Sequence, residues 1–402
     1  MALARAAYSE MKRMFESHGA EYIGDLVEAI QTRELTWRDV SIRALCESLI
    51  PDGREFVAMC NPAHPFNFRE AAGVSTEALG IIASNLVYQR IQEQYEKPEY
   101  VLSRLVPTES GKPGEIMPKI IPLGDDAGIV PEGEEYPSAT IGSDYQIMPH
   151  SQKEGTIVPV TREAIYEDRT SQIMSFAGDV GDVLAIRKEW RLCDTLIGYH
   201  QQAGGYGTLY NWRGTEYAPY QLTTPWINAL ASNELIDHTD MNGVENLFAD
   251  MLDENTGLPI VVGGTTVLVM PAKKQDAARV FNSTEINYST VPATDHVTIA
   301  KGPNPLSGYR FEAPVHLYRR VLLGGNAGAA PSSTANAQKY WYVGDIAKAM
   351  CWWEQFPLKI ESRGLDSEAA FTRDVVMRFK ASHKGVGAWK NPRYMVKTYA
   401  TA

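Results

Sequence analysis

The sequence predicts an α+β fold in two or three domains, and three observations carry that expectation. Residues 1–50 and 169–205 repeat apolar side chains at helical spacing. Between them, residues 111–168 hold too many prolines and glycines for long helices, with β-branched residues gathered towards both ends. After residue 340 the chain returns to strand texture. A length of 402 residues, at roughly 150 per domain, and a hydrophobic content of 44% leave ample material for sizeable cores.

Taken in order, Met11, Met14 and Phe15, then Tyr22, Ile23, Leu26, Val27 and Ile30, fall on helical faces. Pro51-Asp52-Gly53 marks a turn and Asn61 to Phe68 a loop. Ser75 or Thr76 caps a helix to about Glu96, striped by Leu79, Ile82, Leu86, Tyr88, Ile91 and Tyr95. Within 111–168, Ile116, Ile120 and Ile121 on one side and Tyr145, Ile147, Ile157 and Val160 on the other predict two long strands. An irregular tip near Pro131 to Pro137 joins them, and a loop of this length is usually functional.

Asp168 or Thr170 caps a long helix carrying Ile173, Phe176, Val180, Val183, Leu184, Trp190, Leu192 and Leu196, which ends near Gly204-Gly205. About 30 residues span roughly 45 Å. Residues 206–345 alternate short elements. A helix at Val244–Leu252 precedes a strand pair, Leu258–Val262 and Thr266–Met270, and a second helix, Ala272–Phe281. Strands are expected around His296–Ala300 and Val315–Leu323, before a small-residue loop from Gly324 to Ala337. Four strands close the chain, at Tyr340–Val343, Cys351–Ile360, Asp374–His383 and Tyr394–Tyr399.

The 38 basic and 49 acidic residues give a formal charge of −11, which argues against nucleic-acid binding as the main task. Composition excludes a disordered or collagen-like chain. Cys46, Cys60, Cys193 and Cys351 lie far apart without a CxxC pair, as expected of reduced, mostly buried cytosolic thiols. Arg5, Glu10, Lys12 and Arg13 interrupt any signal-peptide core, and no run of about 18 apolar residues predicts a membrane span.

Motifs for chemistry are absent from the sequence. It has no P-loop, no GxSxG elbow and no HExxH. Gly324-Gly325-Asn326-Ala327-Gly328 lacks dinucleotide spacing, and Asp253 to Gly257 misplaces the glycine of a calcium loop. The eight histidines show no paired metal spacing. No catalytic, cofactor-binding or metal residue is assigned, and the expectation is that the protein is not an enzyme.

Charge distribution is more informative. Residues 111–168 hold eleven acids against four bases, and Ile120 to Gln152 contains no lysine or arginine. From Ala370 onward, seven bases face only Asp374. An acidic arm and basic C-terminal strands suit contact between copies of the chain. The expected intersubunit partners are Asp125, Asp126, Glu132, Glu134 and Glu135 with Arg378, Lys380, Lys384 and Lys390.

Three stretches stand out in order: Pro98 to Thr108 (PEYVLSRLVPT), Val130 to Pro137 (VPEGEEYP) and Lys153 to Asp168 (KEGTIVPVTREAIYED). Near the end are Tyr342 to Asp345 (YVGD) and Phe371 to Lys380 (FTRDVVMRFK). In this order of parts the chain resembles, over about Val74 to Tyr399, the major capsid proteins of tailed phages, with the HK97-like fold.

The resemblance implies an architecture. Residues 1–70 form an N-terminal helical arm, or a cleaved scaffold-like segment as in some relatives, and 71–110 a lead-in helix and the start of the peripheral (P) domain. Residues 111–168 form the extended E-loop, 169–205 the P-domain spine helix, 206–345 the axial (A) domain and 346–402 the P-domain C-terminal strands. It implies a shell protein that self-assembles into the hexamers and pentamers of an icosahedral capsid around double-stranded DNA. Implied partners are copies of itself, portal and scaffold or maturation factors, non-specifically packaged DNA and a decoration protein. No cofactor and no membrane are implied, and the location is the virion, assembled in the host cytoplasm. Some relatives crosslink subunits from the E-loop by a Lys–Asn bond; with no lysine between 120 and 152, no such link is expected from the tip. An encapsulin-type nanocompartment and a soluble enzyme with a site built from distant residues are the alternatives.

Overall fold

The computed structural model describes residues 13, 17, 20–38, 40–49, 53–61, 75–111, 116–120, 130, 143–198, 209–223, 225–253, 257–262, 266–290, 298–323, 334–363 and 374–399. In chain order, helices α1 (Ala20–Gln31), α2 (Ile42–Leu49), α3 (Gly53–Met59), α4 (Ser75–Tyr95) and α5 (Val101–Leu105) come first. Strands β1 (Thr108–Ser110), β2 (Ile116–Ile120), β3 (Ser143–Ile147) and β4 (Gln152–Thr161) lead to α6 (Arg162–Tyr166) and α7 (Thr170–Ile197). Next come β5 (Tyr210–Trp212), β6 (Thr215–Tyr217), β7 (Ala229–Ala231), α8 (Asp240–Ala249), β8 (Thr266–Val269) and α9 (Lys274–Phe281). Then follow β9 (Glu285–Thr290), β10 (Thr298–Pro303), β11 (Arg310–Glu312), α10 (Val315–Leu323), α11 (Thr334–Ala337), β12 (Trp341–Gly344) and α12 (Ile346–Ala349). The long strands β13 (Met350–Arg363) and β14 (Val375–Trp389) precede β15 (Met395–Tyr399). The fold class is α+β.

Two compact units divide the chain. The first comprises Met1–Glu99, Lys153–Arg187 and Phe356–Lys384; the second comprises Tyr100–Gln152, Lys188–Gln355 and Gly385–Ala402.

In the first unit, α1 to α4 and the beginning of α7 cover one face of a sheet. Its core joins Ile30, Leu45, Phe56, Ile82, Leu86 and Ile91 to Val158, Val160, Met174, Ala177, Phe379 and Ala381. The helix α7 starts as its sequence dictates. Asp168 adopts a left-handed φ of 53°, and its carboxylate accepts hydrogen bonds from Ser41 Oγ (2.7 Å) and Thr170 Oγ1 (2.9 Å). Thr170 in turn accepts the Ile42 N–H at 2.9 Å, so one polar cluster starts both α2 and α7. Close packing of α4 on α7 depends on Gly181. A β-carbon there would lie 2.5 Å from the Ile91 carbonyl oxygen.

In the second unit, the order β11-β8-β12-β15-β7 makes a mixed five-stranded sheet. β12 runs antiparallel to both β8 and β15, while β11 and β7 pair parallel at the two sides. Alternation assigns Val267, Val269, Trp341, Val343 and Val396 to one face, against Met241, Val244, Ala277 and Phe281 of α8 and α9. Leu268, Met270, Tyr342 and Met395 fill the other, against Leu192, Leu196, Leu317 and Val321 of α7 and α10. Burial on both faces explains why these strands read as continuous apolar runs. A smaller sheet, β2-β3-β5-β6, holds the base of the proline-rich segment. Its β5–β6 turn places Arg213 and Gly214 at φ 51° and 83°, the conformation of a type I′ hairpin.

Several expectations need correction. Val315–Leu323 is the helix α10, not a strand: Leu317, Arg320 and Val321 are buried at i, i+3 and i+4, a helical period that the β-branched ends disguise. Leu258–Val262 forms no strand pair with Thr266–Val269. Among the described residues Pro259 makes an isolated bridge to Leu252, and β8 takes β11 and β12 as neighbours. The second long strand of the proline-rich segment is two strands in different sheets, β3 and β4, separated around Pro149. The long helix stops at Ile197, where Gly198 takes φ 76°, before the expected Gly204-Gly205 pair. A helix, α3, begins at Gly53, where only a turn is expected. The segment tip near Pro131 to Pro137 lies outside the described residues.

Candidate interaction surface

The cysteines serve packing. All four cysteines are free and buried. Burial pushes the Cys60 thiol up to about 11 and the Cys351 thiol up to about 12, so neither is a nucleophile at neutral pH. Among the described residues no cluster of three His, Cys, Asp or Glu could hold a metal. No helix of the described residues is long and apolar enough to cross a membrane.

The polar groups that are buried fix elements in place. Glu189 on α7 is fully buried, and its carboxylate accepts the Leu102 N–H (2.9 Å), the Ser103 N–H (2.8 Å) and the Ser103 hydroxyl (2.8 Å). It thereby caps the first turn of α5, whose donors have no partner within the helix. Asp194 receives a bidentate bond from Arg320 at 2.7 and 2.6 Å, joining α7 to α10. Burial outweighs that partner and raises the Asp194 carboxyl above its usual range. Lys397 donates to the Ile197 carbonyl at 2.9 Å beside the rings of Tyr220 and Tyr340. Burial pushes its ammonium down to about 8.

The portions of β4, β13 and β14 that lie in the first unit carry a different kind of surface. Strand order β1-β13-β14-β4 places β14 between β13 and β4. Side-chain parity then separates two faces. Glu154, Val158 and Val160 of β4, with Phe379, Ala381 and His383 of β14, point inward; Glu154 Oε2 lies 3.5 Å from His383 Nε2. Lys153 and Ile157 of β4, Arg378, Lys380 and Lys384 of β14, and Lys359 and Glu361 of β13 take the opposite parity and reach solvent or lie half-buried. Gly155 confirms this register, since a β-carbon there would meet the Ser382 β-carbon at 2.8 Å. The outer face thus gathers five cations around one carboxylate, on a chain whose total charge is −11. Glu361 pairs with Lys380, and that hydrogen bond holds its carboxyl below the usual range, with Lys153 and Lys359 adding smaller attractions.

Of the residues expected from sequence, Arg378, Lys380 and Lys384 therefore share one face of the first unit. Lys390 belongs to the second unit and is held by Glu109 at 2.6 Å. Asp125, Asp126, Glu132, Glu134 and Glu135 lie outside the described residues. Lys153 and Lys359 were not singled out by sequence reasoning. Their parity was legible, but the pairing that brings three separate strands together was not.

A family model described as phage capsid protein matches residues 147–398. No curated protein matches the chain. Among solved structures, the capsid of the cyanophage P-SCSP1u is similar at 16% identity with a TM-score of 0.44, over 74% of this chain and 86% of that one. A chain from Mycobacterium phage Adephagia is similar at 10% identity and a TM-score of 0.43, covering 75% and 90%. The capsid of the native GTA particle gives 13% identity and 0.41, covering 76% and 91%. These likenesses are too distant to carry an argument, and the assignment rests on the family model, which spans more than half of the chain. The chain belongs to the phage capsid protein family, the structural proteins from which bacteriophage shells are built.

Proposed function

We propose that this protein is the major capsid protein of a tailed double-stranded DNA phage. In this reading it has the HK97-like architecture and assembles through hexamers and pentamers into an icosahedral virion shell. The observation that carries the proposal is the family match over 147–398, which takes in both long outer-sheet strands and the five-stranded sheet. Residues 111–168 act as the E-loop, α7 as the spine helix, residues 206–345 as the A-domain and 346–402 as the P-domain strands. Residues 1–70 act as an N-terminal arm. Its partners in this reading are portal, scaffold or maturation factors, packaged DNA and, as an optional addition, a decoration protein.

Assembly is the mechanism. The acidic residues Asp125, Asp126, Glu132, Glu134 and Glu135 of one copy meet the basic strands of its neighbour. Arg378 and Lys384 have no ion-pair partner among the described residues, whereas Lys380 and Lys390 already hold Glu361 and Glu109. One exposed ion pair contributes about 0–1 kcal/mol, but a patch repeated around a shell sets orientation and rejects wrong contacts. Reversing Glu132, Glu134 and Glu135 to lysine should abolish particles in electron micrographs while the chain stays folded. Normal particles from that variant would remove the contact. Nuclease-protected DNA in native particles separates a virion from a protein-filled nanocompartment.

A further inference from the structure

The continuous helix α7 carries large apolar side chains on its outer face. Phe176 is 47% exposed, Val183 48% and Trp190 37%, while Met174, Ala177, Leu184 and Ala185 on its other sides are buried. Seven residues turn an α-helix through about 700°, so Phe176, Val183 and Trp190 fall within about 20° of one line. Asp179 and Arg187 stand one turn before and one turn after Val183, about 40° to either side of that line. Both are exposed. Asp179 holds no ion pair among the described residues, and Arg187 reaches Glu154 only at 3.7 Å while its side chain stays 60% exposed. Single exposed apolar residues are ordinary, but a line of them along one helix marks a contact surface.

The stripe is complementary to its own reverse. From Phe176 to Trp190 it runs aromatic, acid, valine, base, aromatic, so the reversed copy sets base against acid and ring against ring. We infer that α7 packs antiparallel on the α7 of a second copy, crossing at Val183 on a twofold axis, an inference that rests on the shell-forming reading above. In such a contact, residues equally far before and after the crossing face each other, and each contact occurs twice. Val183 meets Val183 of the partner subunit, Phe176 meets Trp190 of the partner subunit, and Asp179 meets Arg187 of the partner subunit. Apolar residues seven apart suit two nearly aligned helices, crossing at about 20°. The ring pairs and both ion pairs lie within a span of about 21 Å. A parallel pairing in the same register would oppose acid to acid and base to base, so charge selects the antiparallel one.

Crosslinking in the full-length chain tests the pairing. In Val183→Cys the new thiol faces its own counterpart across the axis, whereas Cys46, Cys60, Cys193 and Cys351 are buried. Oxidation of assembled particles by copper phenanthroline in air should give a covalent dimer and nothing larger, because a twofold contact joins each copy to one partner. Ser175→Cys, exposed but about 80° round the helix from Val183, should stay monomeric. A charge exchange gives a second readout. Asp179→Arg and Arg187→Asp should each lower the assembled fraction several-fold by sedimentation, with folding unchanged by circular dichroism. The double variant should regain it, because every copy supplies both charges. A monomer from Val183→Cys overturns the inference, as does a ladder of multimers or a link to a different protein of the particle. A single reversal that assembles like the wild type, or a folded double variant that stays unassembled, overturns it too. Where one set of variants fails to fold, the other decides. Wild-type protein that builds no shell at all defeats the broader reading; wild-type shells beside a Val183→Cys variant that stays monomeric defeat only the helix pairing.

Discussion

Glu189 offers the most direct test of how the second unit is held together. Its fully buried carboxylate accepts two backbone N–H groups, at 2.9 and 2.8 Å, and one hydroxyl at 2.8 Å, all from the first turn of α5. Replacement by alanine strands two backbone donors beneath the surface at about 1–3 kcal/mol each and opens a cavity, for a loss of about 3–5 kcal/mol. Glu189→Gln keeps one accepting oxygen but turns an amide N–H₂ towards a backbone donor, and should cost about 1–3 kcal/mol. Ser103→Ala removes the hydroxyl alone, at about 1 kcal/mol. Urea unfolding of the unassembled subunit gives the ranking, and hydrogen exchange at the Leu102 and Ser103 amides gives the location. Because α5 hands the chain to β1, which pairs with β13, the alanine variant should also assemble poorly. An alanine variant within about 1 kcal/mol of wild type, with both amides still protected, would refute the capping role.

Three further outcomes follow from the same structure. Gly181→Val should destabilise by about 1–3 kcal/mol, because its β-carbon would sit 2.5 Å from the Ile91 carbonyl oxygen. Gly24→Ala, on α1 with nothing within 4 Å among the described residues, should stabilise by about 0.5–1 kcal/mol; thermal melts compare the two. Lys397 has a folded value of about 8 against an ordinary 10.5, so the unfolded chain binds its proton more tightly across that window and stability rises with pH there. Lys397→Met should lose that rise, which melts at pH 8 and 10.5 would detect. Assembled particles boiled in detergent should run as monomer, since residues 120–152 contain no lysine to form a link from the tip; a ladder of multimers would contradict this.

Legibility in the sequence followed the range of each interaction. The long helix and α4 were readable because Ile82, Leu86, Ile91 and Met174, Ala177, Leu184 repeat within one turn or two, and local spacing suffices. α10 was misread because Val315, Val321, Leu322 and Leu323 resemble a strand locally; the burial of Leu317, Arg320 and Val321 that decides the matter comes from partners elsewhere in the chain. Likewise Leu258–Val262 has strand composition, but β8 had already taken its neighbours from residues 310–312 and 341–344. The basic face was half legible. Arg378, Lys380 and Lys384 lie on a single strand and alternate visibly, whereas Lys153 and Lys359 join them only through the β13–β14–β4 order. Glu189 carried no signal at all, since a buried carboxylate on a long helix looks like any solvated one until its donors, 86 and 87 residues earlier, are known.

A cryo-electron microscopy reconstruction of native particles tests the central claim most directly. The account predicts a closed shell built from many copies of this chain, with the acidic 120–152 segment of each subunit lying on the basic outer face of its neighbour. Particles in which this chain is absent from the shell, or a purified protein that forms only small discrete oligomers, would contradict it.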